Sequence, residues 1–363
     1  MIIKSYSSDD ASSKRTVYIL GSGFSASCGL PTVRDLFQAI FKLPDSYNRE
    51  KNIVKHAITR LYPFFKDYQG SESYPPFEEF LSLCSATIDF ESENTHALTP
   101  YVGNSWFQTY EAATHLLEVA INEITNTQKS EDAEPLLRFI DNLSDDDVIL
   151  TFNWDTLIER CLFKKGRKIS YNLSEKGKIT ILKLHGSLSW FKLKEGLSFL
   201  DGMPPPTTFI VSEADKIVCP NDFHYVSESR FAQGTGPVII TPTNGKNPFN
   251  QSLLLREIWY EAFNHIIQAQ SNPPKIIAIG YSIPSYDLHA RALLRSAFLF
   301  PTTKDSPEHI LIDPDPDVAG RYYSQVSENF KYMQKKFTGD EFKRIETEEY
   351  IKKRRDDASK KVV

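Results

Sequence analysis

The chain has 363 residues, of which 40% are hydrophobic and 25% charged, and its formal net charge is −5. This composition is typical of a globular protein, and the acidic balance gives no electrostatic support for direct nucleic-acid binding. There is no apolar run long enough to span a bilayer, and the four cysteines stand far apart, so neither a membrane protein nor a cysteine-rich zinc site is expected.

Residues 1–15 are polar and serine-rich and lack the apolar segment of a signal peptide. We expect them to form a flexible N-terminus of a cytoplasmic protein with reduced cysteines. The residues that follow, Thr16–Leu20, are the first of six apolar runs bounded by turn residues. The others are Val148–Phe152, Ile179–Leu184, Pro237–Thr241, Lys275–Ile279 and His309–Ile312.

These runs are apolar and β-branched on consecutive positions, as in strands that are covered on both faces. Helical patterns separate several of them, so we predict an α/β fold: a Rossmann-like, doubly wound, mostly parallel six-stranded sheet with a large helical insertion and a smaller β/loop insertion. The sheet domain would comprise residues 16–35 and 143–320. A helical subdomain at 36–142 and the smaller insertion at 189–236 would interrupt it, and a helical or charged tail would follow at 321–363.

A glycine turn directly follows the first run and comprises Gly21, Ser22, Gly23, Phe24 and Ser25. Glycines let backbone N–H groups approach a pyrophosphate, and a helix that starts here would add partial positive charge. The turn alone does not distinguish a nucleotide site from a structural turn. The acidic residue expected about 20 positions later in a hydride-transferring enzyme has no strand to occupy, which disfavours a dehydrogenase.

An amide and an imidazole follow the next two runs. Asn153, with Asp155 two residues later, comes after Val148–Phe152, and His185 comes after Ile179–Leu184. Because the carboxyl ends of parallel strands share one crevice, we expect these side chains to meet at a ligand. The alternatives are that Asn153 caps a helix and that His185 is a structural residue of the core.

An amide and a neutral imidazole together suit cleavage of a ribose–nicotinamide bond. Positive charge develops on the ribose as this bond breaks, and nicotinamide is already a good leaving group, so no strong acid is needed. The amide can orient a water molecule or a ribose hydroxyl, and the imidazole can accept a proton. Ordinary glycosidases need a pair of carboxylates instead.

Taken together, the motifs resemble those of the sirtuin family. The glycine turn with Gly29-Leu30-Pro31 is similar to the opening motif of that family, Thr151–Asp155 to its Gln-Asn-Ile-Asp segment, and Leu184-His185-Gly186 to its His-Gly. Three residues after the last two apolar runs occupy the places of its ribose and adenine contacts: Gly280, Ser282 and Asp313.

The resemblance implies an enzyme that consumes NAD+ as its substrate. Asn153 would position the attacking water or ribose hydroxyl, and His185 would act as the base. The residues that would bind NAD+ are Gly21, Ser22, Gly23, Phe24, Ser25, Asp155, Gly280, Ser282 and Asp313. Further candidates, each just beyond one of these motifs, are Arg34, Asp287 and His289. A surface ion pair explains Arg34 equally well, and Asp287 and His289 would either line the pocket or cap the next helix.

Two departures from the family narrow the function. Sirtuin deacylases carry a four-cysteine zinc module after the His-Gly, whereas residues 189–236 contain only Cys219, so no zinc or other metal is expected. The segment that forms the acyl-lysine channel is not recognisable either. The remaining combination resembles the bacterial sirtuin-like NAD+ hydrolases of antiphage defence, which release ADP-ribose and nicotinamide and deplete the NAD+ of the infected cell.

The same resemblance implies control by a homo-oligomer or by a partner protein such as a HerA-type ATPase. Three alternatives stay open. In these alternatives the chain would be an NAD-dependent protein deacylase, a regulatory subunit that binds NAD+ or ADP-ribose without turnover, or a structural subunit of a DNA-processing complex.

Overall fold

The computed structural model describes most of the chain between residues 16 and 341. The described ranges are 16–63, 74–93, 105–127, 133–145, 147–171, 178–193, 208–212, 214–220, 234–241, 252–267, 274–284, 287–298 and 307–341. The predicted flexible N-terminus, 1–15, and the part of the predicted tail from residue 342 onward lie outside these ranges.

Within the described residues the strands are β1 (Thr16–Leu20), β2 (Val148–Thr151), β3 (Ile169–Ser170), β4 (Ile179–Lys183), β5 (Gly186–Leu193), β6 (Thr208–Ser212), β7 (Ile217–Pro220), β8 (Gly234–Ile239), β9 (Lys275–Ile279), β10 (His309–Asp313) and β11 (Phe330–Gln334). The helices are α1 (Ser22–Ala26), α2 (Leu36–Phe41), α3 (Asn48–Leu61), α4 (Phe77–Glu93), α5 (Trp106–Thr127), α6 (Glu134–Asp141), α7 (Leu157–Lys164), α8 (Leu253–Ile267), α9 (Leu288–Ser296) and α10 (Pro316–Gln325). None of these helices is long and apolar enough to cross a membrane.

The larger sheet contains seven of the described strands, all parallel, in the order β11-β10-β9-β1-β2-β4-β3. From the central β1 the chain adds β2 and β4 on one side and then returns to the other side for β9, β10 and β11. This is the 3-2-1-4-5-6 order of doubly wound sheets, with β3 added at one edge. The order reverses between β1 and β9, so the ligand crevice of such a fold lies at their carboxyl ends.

Burial along the strands confirms that both faces of this sheet are covered. Every residue of β2, β4 and β10 is buried, as is all of β1 and β9 beyond the first residue. Successive side chains of a strand point to opposite faces, so burial at consecutive positions requires layers on both sides. The α/β, doubly wound, parallel architecture predicted from the sequence is therefore confirmed.

The number of strands and the place of one run differ from the prediction. The sheet has seven strands rather than six, because β3 and β11 join its two edges. The run Pro237–Thr241 was assigned to this sheet, but β8 (Gly234–Ile239) instead pairs antiparallel with β5. An apolar run does not reveal which sheet its strand joins, and this strand joins the smaller sheet.

The smaller sheet is antiparallel, with the order β6-β7-β5-β8. It begins at Gly186, whose φ of 81° and position against β8 exclude a side chain, because a Cβ there would lie 2.0 Å from Val238 O. Because Gly186 has no side chain, the neighbouring strand β8 can approach it closely. Helices α2 to α6 lie between β1 and β2 in the chain, and α5 reaches the end of β8, where Tyr110 Oη is 2.5 Å from Thr241 Oγ1.

A buried histidine at the amino end of β10 links stability to pH. His309 Nδ1 accepts the backbone N–H of Ile276 at 3.1 Å, and its ring packs against Phe298 and Phe330. Burial, helped by the charge of Lys275, lowers the pKa of His309 from 6.5 to about 4. Between these two values the unfolded chain binds a proton that the folded chain does not.

We therefore expect the stability associated with neutral His309 to be fully present above about pH 6.5 and to fall as the pH drops toward 4, by on the order of 3 kcal/mol in all. Urea unfolding at about pH 7.5 and about pH 5 measures this loss. His309→Asn is the comparison, because its amide oxygen can accept the same N–H but does not titrate. An equally steep fall of stability in this variant would contradict the assignment.

Candidate active site

The turns after β1 and β9 pack against each other backbone to backbone. Gly21 N–H donates to Ile279 O at 3.1 Å, and Gly23 N–H donates to Gly280 O at 2.9 Å. A Cβ on Gly23 would lie 2.8 Å from Gly280 Cα, and Gly280 itself has a φ of 59°. The glycines therefore join two strand ends at the point where the strand order reverses. The N–H groups of Gly21 and Gly23, predicted to contact a pyrophosphate, are engaged in this junction.

This junction makes Gly23→Ala a destabilising substitution. The added methyl group would meet backbone atoms of Gly280, which cannot rotate away as a side chain can. We expect a loss of roughly 1–3 kcal/mol in the free energy of unfolding, measured in urea. Gly320→Ala in α10 is the matched control, because nothing lies within 4 Å of a Cβ at that position. Equal stability of the Gly23→Ala variant and the original chain would contradict this account.

Three predicted site residues form one hydrogen-bonded cluster beside the junction. Asn153 Nδ2 donates to Gly21 O and to Ser25 Oγ, both at 2.9 Å. Ser25 Oγ in turn donates to Asp155 Oδ2 at 2.8 Å, and Asp155 Oδ1 accepts the N–H of Leu157 at 3.0 Å. The cluster connects the glycine turn to the loop between β2 and α7.

The cluster fixes the orientation of the Asn153 amide. Gly21 O can only accept, so the amide nitrogen must face it, and both of its N–H groups are then used. The other polar atom of the side chain, Oδ1, is an acceptor for a hydroxyl or a water molecule. The alternative that Asn153 caps a helix is wrong, because Thr156 occupies the N-cap of α7.

A buried ion pair supports the loop that carries Asn153 and Asp155. Lys183 Nζ donates to Asp155 O at 2.6 Å and to Glu159 Oε1 at 2.8 Å, and both charged side chains are fully buried. Burial raises the pKa of Glu159, and the ammonium group of Lys183 counteracts this. Neither residue was predicted. The available signal was a lysine inside the apolar run Ile179–Leu184, since a charge in a buried strand requires a buried partner.

Asn153 and His185 occupy equivalent places on neighbouring strands. Thr151 of β2 pairs with Lys183 of β4, and Leu184 N–H donates to Thr151 O at 2.9 Å. Each of the two candidate catalytic residues follows this pair by two positions. Adjacent strands are about 4.8 Å apart, so the two residues enter the crevice side by side.

Aromatic rings surround the imidazole of His185, which is only 5% exposed. Phe152 contacts it edge to face, with ring centroids 5.1 Å apart, and Trp259 of α8 lies at 6.5 Å. Phe152 also stacks on Tyr281 at 4.0 Å. His185 Nε2 is 3.2 Å from Asp287 Oδ2, at the start of α9. The ring is thus held by one carboxylate within largely apolar walls.

The ends of β9 and β10 form the other part of the crevice edge. Ser282 follows β9, and its backbone oxygen accepts Arg321 Nε at 2.8 Å. Asp313 ends β10; its carboxylate accepts the N–H of Asp315, and burial raises its pKa. Arg34 is exposed, and its positive charge partly offsets this rise in the pKa of Asp313. Arg34 therefore lies on the same side of the molecule as Asp313.

Backbone strain accompanies this edge. Ile283, directly after Ser282, has a φ of 50°, which is unfavourable for a β-branched residue, and its side chain is fully buried. Such conformations cost of order 1–3 kcal/mol and persist where the surrounding packing imposes them.

Two predicted site residues contact other parts of the molecule. The ring of Phe24 is buried against Phe139 of α6 and Phe337, at 5.3 and 5.1 Å. We call these three rings the aromatic clip. Phe24 was expected to bind NAD+, and its ring packs in the core. The ring of His289 packs on Trp259, with ring centroids 6.1 Å apart. The carboxylate of Asp287 contacts His185.

Among the described residues, no group of three or more His, Cys, Asp or Glu side chains could hold a metal ion. The four cysteines, Cys28, Cys84, Cys161 and Cys219, form no disulfide bonds and are buried.

No protein-family model matches the chain, and no curated protein matches it in sequence. The chain is similar to several solved structures. Two of them are a Sir2 homologue mutant in complex with ADP-ribose and a Sir2 homologue in complex with NAD, each 16% identical over 91% of this chain. The matches cover 90% and 88% of those chains, with TM-scores of 0.40. A structure of Sir2 bound to acetylated peptide is 14% identical over 93% of this chain and 94% of its own, with a TM-score of 0.39.

Proposed function

We propose that this chain binds NAD+ in the crevice at the carboxyl ends of its parallel strands and hydrolyses the nicotinamide–ribose bond. One observation carries the proposal. Asn153, whose Oδ1 is a fixed acceptor, and His185, whose imidazole is buried, follow paired positions at the ends of neighbouring strands. An oriented acceptor and a base are the two groups that this reaction needs.

The reaction would proceed in three steps. The bond between ribose C1′ and the nicotinamide nitrogen breaks, its electron pair leaves with nicotinamide, and positive charge develops on the ribose. A water molecule that donates a hydrogen bond to Asn153 Oδ1 attacks C1′. His185 accepts the proton that this water loses. The products are ADP-ribose, nicotinamide and one proton.

The rest of the dinucleotide would lie across the point where the strand order reverses. The glycine turn, with Ser22 and Ser25, would border the pyrophosphate and the nicotinamide ribose. Gly280, Ser282 and Asp313 would contact the adenosine half, with Arg34 at its solvent side. Their arrangement along the ends of β1, β9 and β10 supports this assignment.

Nicotinamide release from NAD+ tests the proposal and its alternatives. The chain would be assayed by chromatography alone, with an acetyl-lysine peptide, and with a HerA-type ATPase. Release without peptide supports hydrolysis. Release only with peptide would show a deacylase, and binding of ADP-ribose without release in any mixture would show a regulatory subunit.

The cellular role follows from the same activity. We infer that the chain acts in the cytoplasm in antiphage defence, by depleting NAD+, and that a homo-oligomer or a HerA-type partner keeps it silent before infection. The resemblance of its motifs to defence NAD+ hydrolases supports this role. NAD+ measured in phage-infected cells that carry the chain or its Asn153→Ala variant tests it, and equal NAD+ in both would overturn it.

A further inference from the structure

The carboxylate of Asp287 accepts two hydrogen bonds and contacts the imidazole of His185 in a buried place. Its Oδ2 is 3.2 Å from His185 Nε2 and 3.1 Å from the hydroxyl of Tyr281, which donates to it. Its Oδ1 accepts the N–H of Ala290 at 3.3 Å, so the same side chain caps α9. Only 2% of Asp287 is exposed. A carboxylate held by these donors has little freedom to move.

A carboxylate can only accept, and this decides the state of the imidazole beside it. Nε2 must carry a hydrogen to bond with Asp287, so in neutral His185 the proton-accepting atom is Nδ1. The negative charge also favours the protonated ring, which makes Nδ1 a stronger base. This is the relation between a base and the group that orients it in nucleophilic catalysis generally.

We propose that Asp287 is a positioning residue for His185: it fixes the proton on Nε2 and strengthens Nδ1 as the base that receives the proton of the attacking water. The base role rests on the proposed function, whereas the pairing of the two side chains does not. Asp287 was predicted either to line the pocket or to cap the next helix, with no role toward His185.

Several titratable groups face this pair. Tyr281 donates to Asp287 from the end of β9, and its pKa is raised well above its ordinary value by burial and by the carboxylate. Glu78, in the first turn of α4, adds a smaller negative contribution at Tyr281. His289 reaches Trp259. Asp287 is therefore the charged group with an established contact to the imidazole of His185.

Asp287→Asn tests the proposal while preserving the helix cap. Asparagine is a good N-cap and can still accept the N–H of Ala290. Its amide nitrogen donates where the carboxylate accepted, so it favours the ring with its proton on Nδ1. We expect the pKa of His185 to fall by about 1 or more and nicotinamide release near neutral pH to fall by roughly 10²- to 10⁴-fold.

The pKa would be measured by NMR on histidine-labelled chain, with the His185 signal assigned from its loss in His185→Gln. Tyr281→Phe is the matched control, because it keeps the ring that stacks on Phe152 and leaves Asp287 charged. This variant is expected not to lower the pKa. An unchanged pKa in Asp287→Asn, or an equal fall in both variants, would overturn the proposal.

The two proposals can fail separately. A chain that releases no nicotinamide under any condition fails the proposed function, and the NMR titration still decides whether Asp287 controls the imidazole. An active chain in which Asp287→Asn moves neither the pKa nor the acidic limb of the pH–rate profile fails only the role given to Asp287.

Discussion

Replacement of His185 by alanine is expected to lower nicotinamide release by roughly 10²- to 10⁴-fold, because the attacking water loses its proton acceptor. ADP-ribose affinity should change far less, since the imidazole acts on the water rather than on the adenosine half. Release is measured by chromatography and affinity by calorimetry.

His289→Ala is the matched control for this variant. His289 packs on the same indole, that of Trp259. Its replacement should leave release within a few-fold of the original. If His185→Ala retained full turnover, the imidazole would not be the base, and a core role for His185 would remain.

Replacement of Asn153 by alanine is expected to lower release by roughly 10²- to 10³-fold, because the water is no longer oriented toward C1′. The variant also removes two hydrogen bonds, to Gly21 O and Ser25 Oγ, so its melting temperature must be measured beside its activity. A modest fall in stability is expected, with the fold intact.

Asn142→Ala is the control for a lost asparagine hydrogen bond. Asn142 Nδ2 donates to Arg138 O at the end of α6, ahead of the amino end of β2, whereas the crevice lies at the carboxyl end. Its variant should lose a comparable amount of stability and keep its activity. Activity lost equally in both variants would mean that Asn153 acts only through the fold.

The apolar runs predicted the central strands because burial on both faces leaves a continuous signal. Thr16–Leu20 and Lys275–Ile279 match β1 and β9 to the residue. The edge strand β11 was missed because Phe330 is its one buried residue and the polar residues Lys331 and Gln334 interrupt its short apolar run. Pro237–Thr241 was placed in the wrong sheet, because pairing partners are set by tertiary contacts that a local pattern does not contain.

The residues of the candidate site could be predicted where their position at a strand end determines their place in the fold. Asn153, Asp155 and His185 were identified because each follows a buried strand, and parallel strands end at one edge. The sequence could not predict that Asp287 reaches His185, since the start of α9 decides where the side chain of its N-cap residue lies. Nor could it predict the aromatic clip, which depends on contacts between residues far apart in the chain.

The aromatic clip and the central place of β1 have a consequence for synthesis on the ribosome. The glycine turn is synthesised early, whereas its neighbours Ile279, Gly280 and Phe337 are synthesised much later. Partial chains therefore lack the walls of the crevice, and long-range parallel pairing of this kind forms slowly. If the chain hydrolyses NAD+ as proposed, its nascent fragments would leave the dinucleotide pool of the cell intact, because they cannot assemble this crevice.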